Sequence, residues 1–300
     1  MRWAGVSGGG VGGSVADIAS IDVDSVVNQA TLRLGDTLRA YHRHRVRGLR
    51  NLRKAFETDR PVLLVGNHCA DIADPLMLTA AVYRDTGRVL RFIAHGGFFF
   101  KLPVIRELAT GWGCVPHRSK AAADAVLRTD GALVIYPGGA SEALLRSYRE
   151  EPYRLKWAGR LGFIELALRH KATLLFVSAV GIDELYYQTR LPIPSLALQY
   201  TTGDANRYAG ARFGLGLGGL HILPALLPLP VQVTHVISRP LVLDEDVDIW
   251  DREAVERVHA DVWATCQRTL KATVGRRRRD SDRLDSLCRS VMRGFEKVGL

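Results

Sequence analysis

The sequence predicts an α/β fold, a mixed, largely parallel β-sheet flanked by helices, built as a single domain with helical appendages toward its N- and C-terminal ends. Three observations carry this. Apolar runs such as Pro61-Val62-Leu63-Leu64-Val65, Leu133-Val134-Ile135-Tyr136 and Thr173-Leu174-Leu175-Phe176-Val177 lack the alternation of half-exposed strands, so they read as strands buried on both faces. Helix and strand signals alternate as far as Ile182, the order that lays helices on a sheet. Three hundred residues with 47% hydrophobic content are enough for one large core.

The elements follow in order. Residues 1–14 are glycine-rich and expected to be disordered. Within them, Gly5-Val6-Ser7-Gly8-Gly9 imitates a hydrolase elbow and Gly8-Gly9-Gly10-Val11-Gly12-Gly13 a dinucleotide loop, but neither follows a strand. Residues 15–41 predict one or two helices, with Val26, Val27, Ala30, Leu32 and Leu34 among the apolar positions. The basic alternation His42-Arg43-His44-Arg45-Val46-Arg47-Gly48-Leu49-Arg50 suggests an edge strand. After the strand at 61–65, Pro75 opens a helix to about Tyr83, with Asp74 well placed to cap it. A further helix is expected at 119–127 and a buried strand at 173–181.

Residues 214–233 carry no formal charge, but Pro224, Pro228, Pro230 and four glycines make them a poor spanning helix. They read as a substrate-side or membrane-dipping loop. A strand follows at Val231-Gln232-Val233-Thr234-His235-Val236-Ile237. Residues 251–274 form a helix whose stripe is Val255, Val258, Val262, Cys266 and Leu270. The main domain is thus drawn at 15–274. Residues 275–300 form a basic, amphipathic tail, with Arg276-Arg277-Arg278-Arg279 followed by a helix bearing Leu284, Leu287, Cys288, Val291, Met292 and Phe295 on one face.

The net charge of +10 suits an anionic membrane or an acidic small molecule. It suits nucleic acid less well, because the basic residues gather at 43–54 and 276–279 without an aromatic stacking platform or a reading helix. Cys69, Cys114, Cys266 and Cys288 are far apart, with no Cys-x-x-Cys spacing and no secretory segment ahead of them, so a reduced, cytoplasmic setting is expected.

The chemistry gathers where the first buried strand ends. Gly66-Asn67-His68-Cys69-Ala70-Asp71-Ile72-Ala73-Asp74 delivers a histidine and two carboxylates from that strand, the elements of a general acid/base site. Asp71 or Asp74 is the partner of His68. Cys69, its neighbour in an extended segment, points away from it and reads as a small buried thiol rather than a nucleophile.

This segment resembles the glycerolipid acyltransferases, whose first block is Asn-His followed by Asp. Asn67, His68 and Asp74-Pro75 match, although five residues lie between His68 and Asp74 where the family commonly has four. The second block resembles Gly111-Trp112-Gly113-Cys114-Val115-Pro116-His117-Arg118, in which Arg118 takes the position of the family's phosphate-holding arginine. The third resembles Tyr136-Pro137-Gly138-Gly139-Ala140-Ser141-Glu142. Here the phosphate-acceptor members have Pro-Glu-Gly-Thr-Arg, so Gly138 and Ser141 replace their charged pair. That shifts the resemblance toward the Pro-Gly-Gly branch, which includes diacylglycerol- and phytol-ester-forming acyltransferases. Arg118 and Arg146 are the residues able to compensate in part for the lost arginine, and Glu142 for the lost glutamate. The strand at 173–181 and the late strand ending Arg239-Pro240-Leu241 extend the similarity over about residues 46–274.

The resemblance implies transfer of a fatty acyl group from acyl-CoA or an acyl-carrier protein to a lipid hydroxyl, with a neutral acceptor expected. His68 acts as base, Asp74 or Asp71 orients it, and backbone amides near Gly138 and Gly139 receive the oxyanion. Asn67, Arg118, Gly138, Gly139 and Glu142 line the substrate. No metal or other cofactor is implied; the thioester is a co-substrate, and the protein is expected on the cytoplasmic face of an anionic membrane as a peripheral enzyme. The alternatives are a lysophospholipid or lysophosphatidate acyltransferase, or an inactive membrane-binding relative.

Overall fold

The computed structural model describes residues 21–69, 71–95, 100, 103–117, 119–129, 131–202, 205–217, 219–221, 227–244, 246–280 and 282–297. The expectations made for residues 1–14 and for Arg118 lie outside these residues.

A seven-stranded mixed sheet forms the centre. Its strands are β1 (Arg45–Arg47), β2 (Val62–Gly66), β3 (Leu90–Ala94), β4 (Val115–Pro116), β5 (Ala132–Ile135), β6 (Thr173–Val180) and, after a smaller sheet, β10 (Thr234–Ile237). Their order across the sheet is β1-β10-β6-β2-β5-β3-β4. All neighbours are parallel except β10 with β6. Of the basic alternation at 42–50, residues 45–47 form an edge strand, and a helix begins at Leu49.

β2 lies in the middle of the sheet, and its side chains alternate between two cores. Leu63 and Val65 join one, with Leu133, Leu174 and Phe176; Val62 and Leu64 join the other, with Val134, Leu175 and Val177. Burying each such side chain stabilises the fold by roughly 1.5–3 kcal/mol. Apolar side chains on both faces are why the strand sequences show no polar alternation.

Helix α1 (Val26–Tyr41) packs on α3 (Ala73–Thr86). The approach is close at Gly35, where a Cβ would meet the Leu76 carbonyl oxygen at 2.7 Å. Between them in sequence comes α2 (Leu49–Phe56), and further helices are α4 (Pro103–Gly111), α5 (Lys120–Arg128), the short α6 (Gly139–Ala143), α7 (Gly162–Arg169) and α8 (Ser195–Thr202). Ser119 caps α5 through its side chain.

Three expectations change. The segment 214–233 is not loop throughout: β7 (Tyr187–Pro192), β8 (Arg212–Gly216) and β9 (Gly219–His221) form a small antiparallel sheet, in which Gly216 pairs with Gly219, while the expectation for 218 and 222–226 lies outside the described residues. The long C-terminal helix α9 (Arg252–Arg279) runs through Gly275 and the four arginines instead of stopping at 274, and Asp280 closes it. Arg277 is consequently buried, donating to Asp285 at 2.7 Å and to the Gln232 carbonyl at 2.9 Å. The last helix, α10 (Arg283–Lys297), divides its apolar residues. Cys288 and Met292 face a core cluster and Phe295 lies against the Tyr187 ring, whereas Leu284, Leu287 and Val291 are exposed. Among the described residues, no helix is long and apolar enough to cross a membrane.

Candidate active site

β2 and β5 are adjacent and parallel, so their C-terminal ends bring the Asn67-His68 turn beside the Tyr136-Pro137-Gly138-Gly139 turn. In α/β sheets, this end of the strands is where sites form. Asn67 completes the end of β2. Its amide is buried and exchanges two 2.8 Å hydrogen bonds with the backbone of Ala179, donating to the carbonyl and accepting the N–H. Both ends of the amide thus tie β2 to β6.

His68 is half-buried, and three contacts hold it. Its backbone N–H donates to Glu142 Oε2 at 2.9 Å, its carbonyl accepts from Arg146 Nη2 at 3.4 Å, and its ring stacks on Tyr136 with centroids 4.5 Å apart. Nδ1 is buried without a hydrogen-bond partner, which leaves Nε2 as the nitrogen on the accessible side. Burial lowers the ring to about 4, with Asp74 pulling it upward and Arg146 downward. The imidazole is therefore neutral near pH 7, the form in which it accepts a proton.

Neither aspartate hydrogen-bonds His68. Asp74 does not cap α3, which starts at Ala73; fully buried, it accepts from Tyr136 Oη at 3.0 Å and lies 2.6 Å from His235 Nε2. Its link to His68 is its charge and the shared Tyr136, whose ring stacks on the histidine. Asp71 makes the bond expected of a cap, accepting the Ala73 N–H, and also accepts from Tyr186 Oη. Burial raises its carboxyl, while those two donors lower it. Its oxygens are thus occupied by the helix start and by the residue leading into the small sheet.

The Pro-Gly-Gly turn has a steric explanation. A Cβ at residue 138 would lie 2.1 Å from Glu142 Cδ, so only glycine leaves room for that side chain. Glu142 is buried and accepts the His68 N–H through one oxygen and the Lys156 N–H, at 2.7 Å, through the other. Burial pushes it up to about 7 against the pull of Arg146 and these donors. The carboxylate missing from the turn itself is supplied four residues later, where it positions the backbone. The Gly139 N–H donates to the Tyr136 carbonyl at 3.0 Å, so it is committed to the turn and is not offered to an oxyanion in this arrangement.

Arg146 is buried and donates to Asp183 at 2.6 Å. Burial opposes its charge, but Asp183, Tyr148 and Glu142 outweigh that and hold the guanidinium above its ordinary range. Its Nη2 makes both of its hydrogen bonds, to Asp183 and to the His68 carbonyl, while Nε and Nη1 are buried without a partner. The Cys69 thiol is buried and held well above its usual range, first by burial and then by Asp74, which fits the inert reading.

Sequence reasoning assigned no role to Tyr136, His235 or His44. Tyr136 closes a strand ahead of a Pro-Gly turn, and His235 is a titratable residue inside an apolar strand; those were the available signals.

Residues 43–180 match the family model described as Acyltransferase. Human diacylglycerol O-acyltransferase 2 is 36% identical over 172 residues, covering 50% of this chain and 41% of that protein. The human DGAT1/2-independent enzyme synthesizing storage lipids is 29% identical over 144 residues, 48% of this chain and 42% of that protein. An uncharacterized protein of Mycobacterium tuberculosis is 33% identical over 153 residues, 49% of this chain and 40% of that one. Over the matched segment, a little under half of its length, the chain is similar to the glycerolipid acyltransferases. It spans about two-fifths of the length of these curated relatives.

Proposed function

We propose that the protein is an O-acyltransferase that moves a fatty acyl group from acyl-CoA or an acyl-carrier protein to the hydroxyl of a neutral lipid. The observation that carries this is His68, a neutral imidazole at the end of the central strand, with Nδ1 buried and Nε2 on the accessible side. Nε2 takes the hydroxyl proton as the acceptor oxygen attacks the thioester carbonyl, and the Asp74 charge favours the imidazolium that forms. Collapse of the tetrahedral intermediate expels the thiolate, which the imidazolium protonates. Such general-base assistance is worth on the order of a hundred- to ten-thousand-fold.

Three features support a neutral acceptor. Gly138 and Ser141 stand where phosphate-acceptor relatives carry charge, and the nearby Arg146 is engaged by Asp183. Two of the relatives have names that refer to diacylglycerol acylation or storage lipids. Exposed Leu191, Leu217, Leu220 and Leu227 on and beside the small sheet, which connects to the site through Tyr186, suit a lipid surface. The working location is the cytoplasmic face of an anionic membrane, with the protein bound peripherally.

The test offers purified protein one acyl-CoA with diacylglycerol, monoacylglycerol, a long-chain alcohol and lysophosphatidate, and identifies products by mass spectrometry. Ester formed faster with a neutral acceptor is expected. A clear preference for lysophosphatidate, with its Michaelis constant raised selectively by Arg118→Ala, overturns the choice of acceptor; thioester loss without ester indicates a hydrolase.

A further inference from the structure

Behind the site, polar side chains continue into the sheet. Asp74 Oδ1 lies 2.6 Å from His235 Nε2, and His235 Nδ1 lies 2.6 Å from His44 Nε2. His235 and Asp74 are fully buried, one on β10 and the other in α3, and His44 immediately precedes β1. The chain therefore crosses from the outermost strand to the histidine turn. Buried polar groups of this kind are costly unless each donor meets an acceptor.

The proton positions follow from that requirement. An ionised Asp74 only accepts, and it has two donors, Tyr136 Oη on Oδ2 and His235 on Oδ1. His235 must then carry its proton on Nε2, which makes its Nδ1 an acceptor. His44 must donate to it from Nε2, leaving a lone pair on His44 Nδ1. That atom is buried and has no hydrogen-bond partner. Burial, reinforced by His235 and Arg39, lowers His44 to about 2, so its neutral form is the stable one.

We infer that His235 is a positioning residue, held in one tautomer by His44, that fixes the Asp74 carboxylate toward Tyr136 and so sets the charge felt by His68. The part concerning turnover rests on the acyltransferase reading; the direction of the hydrogen bonds does not. No proton leaves the relay during the reaction. Its contribution is orientation, because a buried carboxylate that loses one of two donors has to turn or accept a proton to compensate.

The experiment has two arms. In the first, long-range ¹H–¹⁵N spectra of ¹⁵N-histidine-labelled wild type at pH 7 assign tautomers. Neutral rings with protonated Nε2 are expected for both His44 and His235; a proton on Nδ1 of His235, or a doubly protonated ring, overturns the relay.

In the second arm, His235→Leu removes the donor and His235→Gln keeps an N–H at the end of the side chain. With acyl-CoA and the preferred acceptor, His235→Leu is expected to lower kcat at least tenfold with KM within twofold, and His235→Gln to recover most of it. The His68 ring resonances should move in the leucine variant and return in the glutamine variant. Equal losses in both variants, or an unmoved His68 in a folded leucine variant, overturn the positioning role. If the leucine variant does not fold, the glutamine variant's near-normal kcat and the wild-type tautomers decide. A wild type that transfers no acyl group refutes the proposed function, while the tautomers and the His68 resonances still test the relay.

Discussion

The Glu142 carboxylate accepts the backbone N–H of His68 at 2.9 Å, so one side chain joins the turn after β2 to the turn after β5. Its other oxygen accepts the Lys156 N–H, and the space it fills is the space a side chain at Gly138 would need.

Gly138→Ala should therefore act through Glu142. The new methyl displaces a buried carboxylate held by two donors, and a loss of about 1–3 kcal/mol is expected from crowding and broken bonds. Glu142→Ala alone strands the two N–H groups at a similar cost. In the double variant the methyl at 138 enters vacated space, so the losses should fall short of additive by roughly 0.5–3 kcal/mol. Urea unfolding of the four proteins measures the coupling; strict additivity would show that the two residues do not compete for that space.

His68→Ala should abolish acyl transfer, by about a hundredfold or more, with the unfolding midpoint little changed, since the ring is only half-buried. Asp74→Asn should lower kcat more than Asp71→Asn, because Asp74 touches Tyr136 and acts on His68 electrostatically, whereas Asp71 holds the helix start and Tyr186. Asp71→Asn should show mainly as lost stability. Near-normal turnover of His68→Ala with acyl-CoA sinks the base assignment.

How far the sequence could be read depends on the range of the interactions. β2, β5 and β6 were legible because burial on both faces leaves an uninterrupted apolar run, and His68 was legible because it follows such a run directly. The partner of Asp74 was not. His235 is 161 residues away from it and joins it only because β10 enters the sheet antiparallel beside β6, a pairing that no local pattern encodes. The fate of Arg277 was hidden for the same reason: four consecutive arginines look equivalent in sequence, and only the helical phase of α9 turns one of them onto Asp285. Gly138 was read as the replacement for a charged residue, and the room it leaves for a side chain four positions on is a packing contact that the sequence alone does not show.

His42 gives a pH dependence whose sign is fixed. Nδ1 lies 3.0 Å from the Val231 carbonyl, so it carries the proton and the ring is neutral; burial lowers it to about 4 from 6.5. The unfolded chain takes up a proton near 6.5 and the folded one only near 4. Stability from the neutral ring is thus complete above 6.5 and is lost as pH falls through about 4. His42→Asn keeps a donor for Val231 but does not titrate. Relative to this variant, the wild type should lose up to about 1.4 kcal/mol for each pH unit across that window. Denaturant midpoints at pH 7, 6 and 5 measure it, and a constant difference between the two proteins would refute the neutral buried ring.

The four arginines ending α9 should separate into two behaviours. Arg277 is buried against Asp285 and Glu184, and removing it leaves Glu184 without its cation and Asp285 with Arg289 alone. Arg277→Met should cost about 3–5 kcal/mol. Arg276, Arg278 and Arg279 are exposed, and changing all three to serine should alter stability little. If this end of the molecule meets an anionic bilayer, each of the three contributes roughly 1 kcal/mol, so the triple variant should bind such vesicles about a hundredfold more weakly. Exposed Leu284, Leu287 and Val291 on α10 offer a shallow apolar contact beside them, without Phe295, which is engaged by Tyr187. Flotation with anionic and zwitterionic vesicles at low and high salt makes the comparison. Binding that survives the triple serine change unaltered, or that high salt leaves intact, would assign membrane contact to the exposed leucines of the small sheet instead.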